Sequence, residues 1–168
     1  MIAAAGLIAS GCGKRDHIPV GQTEEEAPRM ATMLHVADPR AEQQLVAGFH
    51  AIEQNSWRWT ENHFSVKLRP PRDAALKGAI LQLKFNVPEA VVNKLGAIAL
   101  EAAIDGTALG KESYTQPGEF TYSREIAPKL LAGEAVQVDF AVDKYLPPSE
   151  SDARKLGVVV TAVGFEIK

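Results

Sequence analysis

Beyond residue 42, apolar and polar residues alternate along most of the chain with a period of two, which predicts β-strands that each bury one face. In 63–69, Phe64, Val66 and Leu68 share one face while His63, Ser65, Lys67 and Arg69 share the other. Pro70 and Pro71 stop this strand, and 78–87 resumes the pattern with Leu81, Leu83, Phe85 and Val87 inward. The same spacing groups Phe120, Tyr122 and Ile126 in 119–126, and Val136, Val138, Phe140 and Val142 in 135–143. In the last strand it groups Val159, Thr161, Val163, Phe165 and Ile167.

The segments between the strands read as turns or short helices. Residues 88–95 (PEAVVNKL) predict a helical turn that Gly96 ends, and 127–133 a second one closing on Gly133. Residues 97–105 admit two readings. Their alanines favour helix, whereas Ile98, Leu100, Ala102 and Ile104 alternate strictly and are followed by the hairpin-type pair Asp105-Gly106. We take the strand; the alternative is one helix over 88–103 interrupted by Gly96. A short strand over 109–115 and a turn at Gln116-Pro117-Gly118 follow. About seven to nine short strands, with turn signals every ten residues or so, describe an all-β antiparallel two-sheet sandwich of jelly-roll or immunoglobulin-like topology. No βαβ spacing appears, so a parallel sheet is disfavoured.

The first forty residues differ from the rest. Residues 13–40 carry Glu24, Glu25, Glu26 and scattered prolines with no sustained period, and they read as a tether. The apolar stretch 30–36 is the exception, either a short strand or a patch docked on the body. The domain proper is expected over 42–168. A length of 168 residues suits one domain with terminal extensions. A net charge of -3, with no run of Lys or Arg, leaves no electrostatic footprint for a nucleic-acid partner. One cysteine, Cys12, excludes an internal disulfide.

The segment preceding Cys12, MIAAAGLIASG, is uncharged and ends in the small residues Ala9, Ser10 and Gly11. It resembles a bacterial lipoprotein signal. That resemblance implies removal of 1–11, acylation of Cys12, and residence on a membrane of the bacterial cell envelope, each buried CH₂ contributing roughly 0.8 kcal/mol. The competing reading is a buried N-terminal element with an ordinary free thiol.

Further along stand Gly48-Phe49, Glu53, Arg58-Trp59, Asp105-Gly106, Leu109-Gly110, Pro147-Pro148, and Asp152 with Leu156-Gly157. In that order they resemble the carbohydrate-binding-like β-sandwich modules found beside bacterial surface-polysaccharide glycosyltransferases. The resemblance implies a jelly-roll or galactose-binding-like fold and no catalysis, and it assigns no sugar-contacting residue.

Candidate chemistry concentrates in 48–70, which holds both tryptophans and two of the four histidines. Trp57 and Trp59, two apart on a strand, share one side, and Arg58 takes the other. A binding reading makes an indole the stacking platform for a sugar, with Arg58, Glu53 and His63 meeting hydroxyls. A structural reading buries Trp59 as the main packing anchor and pairs Glu53 with Arg58. We take Trp59 as core and leave Trp57 open between the two.

A zinc site from His50, Glu53 and His63 has no compact metal spacing behind it, and a calcium site from Asp139, Asp143 and Asp105 or Glu101 lacks a dense acidic loop. Neither a metal nor a cofactor is expected. No nucleophile elbow, phosphate loop or HExxH sequence is present. The expected function is therefore non-catalytic recognition of an envelope glycan, the alternative being a protein-interaction or structural subunit of an envelope complex. Mass spectrometry of membrane-extracted protein should find Cys12 acylated and N-terminal, and Cys12→Ser should move the chain to the soluble fraction.

Overall fold

The period-two segments form strands in a computed structural model that describes residues 30–168. Strand β1 (Met33–His35) is followed by a 3-10 turn (Pro39–Gln44), β2 (Leu45–Glu53) and the long β3 (Trp57–Leu68). Helix α1 (Ala74–Lys77), β4 (Ala79–Val87), α2 (Glu89–Leu95), β5 (Ile98–Ile104), β6 (Thr107–Tyr114) and β7 (Gly118–Ile126) come next. A 3-10 turn (Pro128–Leu130), β8 (Val136–Val142) and β9 (Val159–Ile167) complete the chain.

All strand pairs are antiparallel. One layer runs β2-β3-β8-β5-β6 and the other β9-β4-β7, with β1 laid beside β9. Strand β3 belongs to both layers. Its first residues Arg58 and Trp59 lie opposite Val160 and Val159 of β9, whereas His63 to Leu68 lie opposite β8. Successive strands β4 and β5, β6 and β7, β7 and β8, and β8 and β9 sit in opposite layers, which makes the sandwich a jelly roll.

Between the layers the alternating side chains pack as the pattern requires. Phe64 stacks on Phe140 at 5.0 Å within one layer, and Phe85 of β4 meets Tyr114 of β6 edge-on at 5.0 Å across the two. The outermost strands β6 and β7 share no backbone ladder. Side chains latch them: the Tyr122 hydroxyl donates to the Gly110 carbonyl at 2.5 Å, and Arg124 lies over the Tyr122 ring and pairs with Glu112 at 3.0 Å. Burial of Tyr122 pushes its hydroxyl pKa up, which keeps it a donor.

Several expectations change. The fold begins before residue 42: β1 pairs with β9, and Leu34 and Val36 are buried, because the apolar side chains of 33–36 complete that layer. Residues 1–29, including Cys12 and Glu24 to Glu26, lie outside the described residues. Helical segments number four rather than one or two among the described residues: the 3-10 turn Pro39–Gln44 and α1, which starts from Asp73 at φ +63°, add to the turns expected at 88–95 and 127–133.

Strand β9 does not keep one face throughout. Leu83 faces Val163 but Phe85 faces Val160, so an extra residue bulges at Thr161, which is exposed and donates to the Lys84 carbonyl. Residues 98–104 are a strand, and Asp105 and Gly106, both at positive φ, form the tight hairpin turn.

Arg58 is the largest departure. It is buried, inside rather than at a ligand-facing edge, and Glu53 is not its partner. Its Nε donates to the Val36 carbonyl at 2.8 Å, Nη1 to the His50 carbonyl at 3.1 Å, and Nη2 to Glu42. One guanidinium thus joins the end of β1, the 3-10 turn and β2. Arg58→Ala strands one buried and one part-buried carbonyl and should lower stability by roughly 2–3 kcal/mol, measurable as a shift of the urea midpoint at unchanged m-value.

Candidate functional site

Strand parity sets the site. Arg58, Thr60, Phe64, Val66 and Leu68 occupy alternate, inward positions of β3 and are all buried, so Trp57 and Trp59 face the other way. Trp59 is not the core anchor expected from sequence. It lies half-buried opposite Val159 and packs against the core from outside, while Trp57 is half-buried at the start of the strand. The two indoles meet edge-on, centroids 6.4 Å apart with an 81° angle between planes.

Glu53 lies directly opposite Trp57 in the β2–β3 ladder, which puts the two side chains on one face. The partner of Glu53 comes from the loop before β9: Arg154 Nη1 donates to Glu53 Oε1 at 2.7 Å. The Arg154 Nε and Nη2 fold back onto Asp152 at 2.9 and 2.7 Å, and the Arg154 backbone N–H donates to Asp152 Oδ1 at 3.0 Å. This guanidinium holds Asp152 well below the usual carboxylate range, at about 2, and the two carboxylates in turn raise Arg154.

The loop itself is pinned to the sheet. Leu146 and Leu156 exchange backbone hydrogen bonds, and the Gly157 N–H donates to the Thr60 carbonyl at 2.7 Å. A Cβ at Gly157 would stand 2.5 Å from the Glu61 carbonyl oxygen, so only glycine lets the loop lie this close. His50 adds a further tie, its Nε2 lying 2.7 Å from the Lys155 carbonyl oxygen. At the other end of the β2 hairpin Gly48, at φ +74°, is required for a similar reason: a Cβ would overlap the His63 carbonyl.

Of the four binding candidates read from sequence, the structure brings Trp57 and Glu53 together. It withdraws Arg58 into the interior, and it leaves His63 exposed farther along β3, opposite Ala141. His50, Glu53 and His63 take separate positions, and among the described residues no group of three or more His, Cys, Asp or Glu could hold a metal ion. Asp143 accepts the Ala99 N–H, and Asp105 sits in its turn. Sequence reasoning missed Arg154. A local signal existed: Asp-x-Arg occurs as Asp38-Pro39-Arg40 and Asp152-Ala153-Arg154, and in both places the arginine folds back on the aspartate.

The chain matches no protein-family model and no curated protein sequence. Solved structures similar to it are carbohydrate-binding modules. One is the module CBM36 in complex with calcium and xylotriose, at 12% identity and TM-score 0.44, covering 80% of this chain and 99% of that one. A second is the CBM36-1 domain of a multidomain xylanase from the hindgut metagenome of Trinervitermes trinervoides, at 11% identity and TM-score 0.42, covering 76% and 94%. A third, a CBM4 structure, has 11% identity and TM-score 0.33 over 80% and 81%.

No helix among the described residues is long and apolar enough to cross a membrane. A cleft of about 710 Å³, lined by Met33, His35, Asp38, Arg40 and Lys67, also touches Met30, where the described chain starts. Lys67 comes from the far end of β3, and the rest of the lining comes from β1, the 3-10 turn and the residues around them.

Because the folded pKa of Asp152 is depressed, its contribution to loop stability is complete above the unfolded value of about 3.9. It disappears as pH falls through about 2. NMR titration of the Asp152 carboxyl carbon should show this midpoint, and Asp152→Asn should abolish this pH dependence while Arg154 keeps its bond to Glu53.

Proposed function

We propose that this protein is a non-catalytic glycan-binding module, held to a bacterial envelope membrane through acylated Cys12. The observation that supports the reading is the face where Trp57 and Trp59 stand beside the Glu53–Arg154–Asp152 array. Sugars present apolar C–H faces and rims of hydroxyls, and a half-exposed indole next to oriented carboxylates meets both. The face is pre-organised, since the Gly157 contact, the Leu146–Leu156 pair and the two arginine forks hold its members before any ligand arrives.

The alternative reading, docking of an envelope protein, draws less support. The exposed large apolar residues among those described are Val46, Leu76 and Ile167, which stand on β2, α1 and β9. Single exposed apolar side chains are ordinary on a protein surface.

Trp57→Ala should weaken glycan binding about tenfold, equivalent to about 1.4 kcal/mol, and leave the fold intact because Trp57 lies outside the interior. Affinity electrophoresis in envelope polysaccharide, read beside a thermal melt, checks this. An unchanged retardation with an unchanged melt would remove the indole from the site.

A further inference from the structure

The donors and acceptors of the Trp57 face select among sugars. Its arginine is already engaged. Arg154 directs Nε to both Asp152 oxygens at 2.9 and 3.2 Å, Nη2 to Oδ2 at 2.7 Å, and Nη1 to Glu53 at 2.7 Å. His50 Nε2 faces a carbonyl oxygen at 2.7 Å, so that nitrogen carries the hydrogen and donates it there. Lys155 Nζ lies 5.9 Å above the Tyr145 ring, within cation–π reach.

Open acceptor capacity sits on Glu53. Glu53 accepts at Oε1, but Oε2 has no hydrogen bond among the described residues, and the side chain is 33% exposed. Two carboxylates, Glu53 and Asp152, face one guanidinium, so the polar array beside the tryptophans is net negative. A ligand completes this array by donating hydrogens to it. A ligand that brings negative charge repels both carboxylates and must compete with them for Arg154, whose bonds to them are charge-assisted and partly bidentate.

From this, and resting on the glycan reading above, we infer that the Trp57 face takes sugars that present hydroxyl or ammonium donors and carry no carboxylate, sulfate or phosphate, with Glu53 Oε2 as the selecting acceptor. The uncharged and the amino-bearing sugars share donation, which is what Glu53 Oε2 accepts. Glu53 then sets specificity, and Arg154 acts as a positioning residue that fixes the rotamer of Glu53 so that Oε2 points out.

The test is an array of neutral, amino, carboxylated, sulfated and phosphorylated glycans probed with the full chain at about 0.15 M salt, where long-range charge effects are screened beyond about 8 Å. Binders should be confined to the neutral and amino classes. In Glu53→Gln, which removes one negative charge and puts an NH2 donor in place of the Oε2 acceptor, binding to those glycans should fall at least fivefold and weak binding to carboxylated ones should emerge, with near-UV circular dichroism unchanged. A carboxylated, sulfated or phosphorylated glycan bound as tightly as any neutral one by the unmodified chain overturns the selectivity and leaves the glycan reading standing. An array with no binder overturns the glycan reading itself.

Discussion

The parity of β3 is the constraint from which the rest of this structure follows. A strand places alternate residues on opposite faces, and β3 keeps one parity from Arg58 to Leu68 while it passes from one layer to the other. Phe64, Val66 and Leu68 are fully or almost fully buried, and a one-residue slip would put all three into water. Transferring even one such side chain costs roughly 1.5–3 kcal/mol. That penalty outweighs any local preference of the residues at the start of the strand. Arg58 is therefore driven inside, and both tryptophans are driven out.

An interior guanidinium has to be satisfied, and the chain does this with groups distant in sequence: the Val36 and His50 carbonyls and the Glu42 carboxylate. Those bonds explain why the segment before β2 belongs to the fold rather than to a tether. The outward tryptophans had to be accommodated as well. Trp59 covers Val159, and the loop leading into β9 folds over to present Arg154 to Glu53. The two arginines thus divide the labour. Arg58 holds the scaffold together from inside, and Arg154 arranges the surface that faces a ligand.

Much of this was legible in the chain. The inward sets at Phe64, Val66 and Leu68, at Leu81, Leu83 and Phe85, and at Val136, Val138 and Phe140 could be read from period-two alternation alone, because each lies in a regular strand with one wet face. The Asp105-Gly106 turn was equally plain, since few residue pairs tolerate positive φ at two successive positions. Reading failed where regularity broke. The bulge at Thr161 shifts the face of β9 halfway, and periodicity continued through it assigns Thr161 to a core it does not join, while Ile167, in step with Val163 and Phe165, is exposed at the end of the strand. The short β1 was legible only as one of two choices for 30–36, a strand or a docked patch, because three residues carry little pattern and their pairing with β9 decides it.

What the sequence determined by itself was local: which segments are strands, where they turn, and that Trp57 and Trp59 share a side opposite Arg58. Each of these depends on backbone geometry within a few residues. The tertiary structure alone decided that 57–59 and 63–68 are one unbroken strand, so that the inward face read at Phe64, Val66 and Leu68 carries back to Arg58 and puts the tryptophans outside. It also decided the partner of Glu53. An ion pair spanning 101 positions leaves no periodic trace in a sequence, and it exists here because Gly157 lets one loop rest against β3.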